Sequence, residues 1–140
     1  MSKDLKDLKH LHEWDVLARS CIDGRFIKRT IDWIVKKHGE VFDYRTGVGS
    51  SKTIIDSLYD RASFFDVIRT SVKLHNTKEV WIFDHIDCGA YGGSKSFKNE
   101  EEEKNFHKQK LTEATHIVNQ EFPELKVRKV YVGWDRIEEV

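Results

Sequence analysis

Two short polar clusters carry the residues of this chain whose types and spacing could do chemistry. The first contains Cys21, Asp23 and Arg25, and the second contains His85 and Cys88. No other cysteine is present in the sequence. Two thiolates and one imidazole form a zinc ligand set with an open fourth position, which is typical of a catalytic site. The spacing therefore predicts one Zn²⁺ per chain, bound by Cys21, His85 and Cys88.

Asp23 and Arg25 follow Cys21 at alternate positions, and alternate side chains of an extended backbone share one face. A zinc-bound water with a lowered pKa could donate a hydrogen bond to the Asp23 carboxylate. Arg25 could hold that carboxylate in a bidentate pair and keep it from binding the metal. The alternatives are an ordinary surface ion pair for Asp23 and Arg25 and small buried apolar residues for the two cysteines.

Composition bounds the class of protein. The chain has 140 residues, enough for one domain over residues 1–140. Lys plus Arg equals Asp plus Glu at 24 each, so no basic surplus favours nucleic acid. No segment approaches the ~18 consecutive apolar residues of a membrane span, and the first residues do not form a signal peptide. We expect a cytoplasmic protein whose cysteines are not joined in a disulfide.

Apolar runs and turn residues predict an alternation of strands and helices. Helices are predicted between the strands, one of them capped by Ser63 and the last capped by Asn99 and ended at Pro123. Strands are predicted at residues 15–18, 41–45, 80–83 and 127–132.

This alternation favours an α/β fold with a mostly parallel four-stranded sheet flanked by helices. The two polar clusters follow the first and third strands. A strand order of 2-1-3-4 would place these strands side by side, with the clusters together at their carboxyl ends.

The pattern Cys21-x-Asp23-x-Arg25 followed by His85-x-x-Cys88-Gly resembles the signature of the β-class carbonic anhydrases. Residues 41–47 also resemble the second strand of that family and its turn, and residues 131–134 resemble its last strand. The resemblance implies that Cys21, His85 and Cys88 bind zinc and that Asp23 and Arg25 form the catalytic dyad. The chain departs from the family in its short length, in lacking a long N-terminal helical arm, and in having Thr-Gly-Val where Asn-Ala-Gly is usual.

The expected activity is the reversible hydration of carbon dioxide to bicarbonate by water activated on zinc. Three alternatives stay open: hydrolysis of carbonyl sulfide or carbon disulfide at the same site, a non-catalytic zinc-binding protein of this fold, and a redox pair formed by the two cysteines. Open sheet edges and the leucines Leu5, Leu8 and Leu11 at helical spacing predict a homodimer or a higher homo-oligomer.

The remaining polar residues carry weaker expectations. Asp87 is expected to bond backbone amides in its turn, and Tyr91 either lines the pocket or covers the metal. The glutamate run at residues 100–103 is expected to be solvated. So are the histidines outside the second cluster, which are His10, His12, His38, His75, His107 and His116.

Overall fold

One five-stranded sheet organises the computed structural model, which describes residues 5–140. Its order is β2-β1-β3-β4-β5, in which the first four strands are parallel and β5 is antiparallel to β4. The α/β class, the mostly parallel sheet and the order 2-1-3-4 are therefore confirmed. The strands are β1 (Val16–Ser20), β2 (Asp43–Thr46), β3 (Glu79–His85), β4 (Lys126–Val132) and β5 (Ile137–Glu139).

The prediction of four strands missed β5. This strand is three residues long and mostly acidic, so it carries no apolar pattern of its own. It forms because a tight turn, in which Gly133 N–H donates to the Arg136 carbonyl at 2.9 Å, folds it back onto β4. Its presence depends on pairing with β4 rather than on local sequence.

Helices connect the strands, and two of their predicted caps can be compared with the structure. Asn99 caps the last helix as expected, accepting from Glu102 N–H at 2.8 Å. The predicted cap at Ser63 is wrong, because the helix already begins at Leu58, where Ser57 accepts from Asp60 N–H at 3.2 Å. The helices are α1 (Gly24–Lys37), α2 (Ser51–Asp56), α3 (Leu58–His75) and α4 (Glu100–Glu121).

Apolar side chains cover both faces of the sheet. Leu17 and Ile82 point toward a core shared with α2, α3 and α4, whereas Ala18 and Phe83 point toward α1. Burial on both faces explains why β1 and β3 lack the polar alternation of a half-exposed strand. The buried face of α4 contributes the predicted residues Leu111, Ala114 and Val118.

This packing fixes the relative position of the two polar clusters. β1 and β3 are hydrogen-bonded neighbours with Arg19 opposite Ile82, so their carboxyl ends lie at the same edge of the sheet. Cys21 follows the last residue of β1, and His85 is the last residue of β3. The crossovers therefore bring the two clusters together.

A short 3₁₀ helix spans Leu5–His10, with Leu8 and Leu11 half-buried, and the side chain of Leu5 lies outside the described part of the structure. Among the described residues, every helix is too short or too polar to cross a membrane.

Candidate metal centre

Cys21, His85 and Cys88 converge in the structure. One donor atom from each lies within 4.8 Å of the other two, and all three side chains are buried. No other group of metal-binding side chains of this kind occurs among residues 5–140. The turn between His85 and Cys88 closes because Asp87 adopts a left-handed backbone conformation, with φ of 59°, which aspartate tolerates better than most residues.

The imidazole of His85 is held with one nitrogen free. Its Nδ1 lies 2.7 Å from the Ile86 carbonyl, which can only accept, so Nδ1 carries the proton. Its Nε2 is buried without a hydrogen-bond partner. The ring of Phe26 stacks on the imidazole at 4.4 Å between centroids. The lone pair of Nε2 is thus oriented for a metal ion, since a ligating histidine commonly donates its other N–H to a carbonyl.

The two thiols are free and buried side by side. The neighbouring Cys88 thiol lowers the pKa of Cys21, and the same proximity raises the pKa of Cys88. One sulfur therefore ionises readily, while a second negative charge beside it is unfavourable. A divalent cation would stabilise both thiolates, and two thiolates with one imidazole suit Zn²⁺ with one position left open. The residues present fit this metal.

Asp23 and Arg25 form a bonded pair at the mouth of this cluster. Arg25 donates through Nη2 to Asp23 Oδ2 at 2.7 Å and through Nε to Oδ1 at 3.1 Å. Asp23 also caps α1, because its Oδ1 accepts from Arg25 N–H at 3.0 Å. These bonds to Arg25 hold the pKa of the Asp23 carboxyl below its usual value. Asp23 Oδ2 lies 3.9 Å from His85 Nε2.

Further contacts fix the position of Arg25. Its Nη1 donates to Asp87 Oδ2 and its Nη2 to the Asp87 carbonyl, each at 3.1 Å. Its guanidinium also lies 5.3 Å and 5.6 Å from the ring centroids of Phe26 and Trp134. Asp87 in turn accepts from Ser94 N–H at 2.9 Å, in agreement with its expected bond to a backbone amide. The pair of Asp23 and Arg25 therefore belongs to a network rather than to an isolated surface contact.

The sequence profile of a family described as "Putative carbonic anhydrase" matches residues 12–139. The chain belongs to this carbonic anhydrase family. An uncharacterized protein of Rickettsia conorii is 34% identical over 139 residues, which cover 94% of this chain and 74% of that protein. A second, from Rickettsia bellii, is 32% identical over 137 residues, covering 93% and 83%.

Solved structures support the same fold. The β-carbonic anhydrase CafA of the fungal pathogen Aspergillus fumigatus superposes with a TM-score of 0.63 at 17% identity, covering 93% of this chain and 76% of that chain. The β-carbonic anhydrase CafD of the same fungus gives a TM-score of 0.62 at 13% identity, covering 94% and 92%. The carbonic anhydrase family is thereby confirmed by the profile, and the resemblance to the β class is confirmed at the level of the fold.

In this family member, the hydroxyl of Tyr91 bonds to protein rather than standing free. It lies 2.7 Å from Ser51 Oγ, and Ser51 Oγ donates to Asp84 Oδ2 at 2.6 Å. Because the single proton of Ser51 goes to Asp84, Tyr91 is the donor in its bond to Ser51. Burial, with a further contribution from Asp84, raises the pKa of Tyr91, so its hydroxyl keeps the proton for this bond.

Three residues near the centre were misjudged or missed from the sequence. His107 was expected to be solvated but is fully buried (0% exposed), and Glu103 of the supposedly solvated glutamate run is 1% exposed. Asp84, 2% exposed, was not singled out. A usable signal existed, because Glu103 and His107 extend the buried stripe of α4 backward from Leu111 in steps of four residues. A carboxylate inside the apolar run of β3 also requires buried partners.

Proposed function

We propose that this protein is a zinc-dependent carbonic anhydrase that interconverts carbon dioxide and bicarbonate. One observation carries the proposal: the free Nε2 of His85 and two buried cysteine sulfurs converge beside the bonded pair of Asp23 and Arg25. Membership of the carbonic anhydrase family supports it. The proposed ligands are Cys21, His85 and Cys88, with Zn²⁺ as the cofactor, one ion per chain.

Each side chain at the mouth has a proposed task. When bound, Zn²⁺ supplies an acidified water as the nucleophile near neutral pH. Asp23, held ionised by Arg25, would accept a hydrogen bond from this nucleophile and so orient one of its lone pairs toward the carbon of the substrate. Arg25 prevents the carboxylate from rotating, because three of its nitrogen-to-oxygen bonds to Asp23 act together.

We further propose a cytoplasmic homodimer in which residues 1–140 form one zinc-binding domain. Two buried thiols that must ligate as thiolates persist best in a reducing compartment. Among residues 5–140, strand β2 pairs with β1 alone and is an edge strand of the sheet, which favours association.

Turnover on three substrates tests the proposed function. The purified protein is analysed for metal and then assayed by stopped flow with carbon dioxide, carbonyl sulfide and carbon disulfide, all linear molecules with an electrophilic carbon. We expect one Zn²⁺ per chain and fastest turnover of carbon dioxide. Faster turnover of a sulfur-containing substrate would show that hydrolysis of that substrate is the activity. Bound zinc without turnover of any of the three would show that the protein is a non-catalytic zinc-binding protein. A zinc-free protein with a reversible disulfide would indicate a redox pair instead.

A further inference from the structure

Helix α4 places two buried polar side chains, Glu103 and His107, one turn apart beneath the segment that carries His85 and Cys88. Residues four apart lie on the same face of a helix. Burial of a carboxylate and an imidazole costs free energy unless both are bonded, so their partners indicate what they do.

His107 bonds to Asp84, the residue just before His85. Its Nδ1 donates to Asp84 Oδ2 at 2.7 Å. Its Nε2 is buried without a partner, so the proton lies on Nδ1. Asp84 also accepts from Ser51 N–H at 3.0 Å and from Ser51 Oγ at 2.6 Å. The end of β3 is thereby tied at once to α4 and to the first residue of α2.

Glu103 bonds to Asp87, in the turn just after His85. Its Oε2 accepts from Asp87 N–H at 2.7 Å, and its Oε1 accepts from Ser94 Oγ at 2.8 Å. Asp87 is the residue of this turn with left-handed backbone, so the bond fixes the orientation of the peptide between Ile86 and Asp87, in the middle of the turn from His85 to Cys88.

We propose that Glu103 and His107 are positioning residues that set the geometry of the metal centre by holding the segment 84–88 at two points, one before His85 and one between His85 and Cys88. Without the bond from His107 or the bond from Glu103, the turn between His85 and Cys88 could rotate and separate their donor atoms. Loss of a partner bonded directly to a metal ligand typically costs about 10–100-fold in metal affinity. Glu103 and His107 bond to residues that adjoin the ligands in sequence, so we expect an effect in the same direction near the lower end of that range. This inference rests on the proposed function only in taking the Cys21, His85 and Cys88 cluster as a zinc site.

The test compares His107→Leu, which removes the donor, with His107→Asn, whose amide nitrogen can occupy the place of Nδ1. Zinc affinity is measured by competition with a chromophoric chelator, and ligand geometry by the visible absorption of the Co²⁺-loaded protein. We expect His107→Leu to weaken zinc binding by about 10-fold or more and to change the Co²⁺ spectrum, and His107→Asn to restore both. Leu111→Ala, one turn further along the same face, is the control: it should lower the melting temperature and leave zinc affinity unchanged.

Glu103→Ala, in the first turn of α4, tests the bond from Glu103 to Asp87. This variant should keep the wild-type circular dichroism spectrum, and we expect it to weaken zinc binding to a similar extent. The proposal is overturned if His107→Leu and Glu103→Ala bind zinc as the wild type does, or if Leu111→Ala weakens binding as much as they do. A wild type that binds zinc tightly but does not hydrate carbon dioxide removes the proposed function alone. A wild type that binds neither Zn²⁺ nor Co²⁺ removes both.

Discussion

Asp23 and Arg25, at the mouth of the centre, have proposed tasks that can be separated from metal binding. Asp23 and Arg25 lie beside the ligand cluster and bond to each other, while the three ligand side chains come from other positions. We therefore expect Asp23→Ala and Arg25→Ala to retain zinc and to lose about 10²–10³-fold in hydration rate, the usual loss when one preorganised hydrogen-bonding group of an active site is removed. Stopped-flow hydration with zinc analysis on each sample is the measurement.

A matched control exists on the same helix. Asp32 of α1 pairs with Lys28 in an exposed ion pair, so Asp32→Ala should leave the hydration rate unchanged. An Asp23→Ala variant with the rate of Asp32→Ala would reduce Asp23 and Arg25 to a structural ion pair.

The bond between Asp23 and Arg25 also predicts an acid dependence of stability. Because Arg25 depresses the pKa of Asp23 in the folded state, the stabilisation is fully present above the unfolded value of about 3.9 and is lost as pH falls through the lower folded value. Melting temperatures of wild type and Arg25→Ala, recorded between about pH 3 and pH 7 with a chelator present, should converge on acidification. A gap that widens as pH falls would contradict the assignment.

The ligand and dyad residues could be proposed from sequence because rare residue types stand at fixed spacing at the ends of two apolar strands. Glu103 and His107 could not be recognised from residue type, since both are usually solvated on helices. Their burial depends on where α4 packs against β3, and this tertiary contact cannot be seen in the local sequence. Arg19 behaves similarly: it lies in β1, 1% exposed, and its partners come from a loop that follows β2.

At the scale of elements, the loop from β2 to α2 is packed against this buried arginine. Arg19 donates to the Ser50 carbonyl at 3.0 Å and to Thr53 Oγ1 at 2.7 Å. Burial lowers its pKa to about 10, which leaves it charged at neutral pH. A Cβ added at Gly47 would lie 2.6 Å from Arg19 Cζ, and these bonds prevent the guanidinium from moving aside.

Gly47→Ala should therefore lower the free energy of unfolding by about 1–3 kcal/mol, the usual cost of overpacking. Denaturant unfolding measures it. Gly24→Ala is the control, because a Cβ at Gly24 meets nothing within 4 Å, and we expect a change within about 0.5 kcal/mol. Equal stabilities of the two variants would show that the Arg19 guanidinium moves aside to make room for the added Cβ.

The order of the sheet was predictable because right-handed crossovers and two chemically related clusters leave few arrangements. The start of α3 was not, since Ser57 and Ser63 are both capable caps and the structure uses the earlier one. The antiparallel β5 depends on pairing with β4 and has no local pattern to reveal it.

For the whole molecule, the homodimer stays a prediction. Leu58 and Tyr59 at the start of α3 are 75% and 84% exposed, and β2 is an edge strand of the sheet in the described part of the chain. Multi-angle light scattering at micromolar concentration should give twice the mass of one chain. A single monomer peak would contradict the predicted association.

The central claim is that one zinc ion at Cys21, His85 and Cys88 makes this protein a carbonic anhydrase. The most direct measurement is stopped-flow hydration of carbon dioxide during titration of Zn²⁺ into chelator-treated protein. We expect the rate to rise in proportion to added zinc and to level off at one equivalent per chain, and Cys88→Ser to show no such rise because serine is a poor zinc ligand. A rate that stays at the uncatalysed value with one zinc bound, or that rises equally in Cys88→Ser, would contradict the claim.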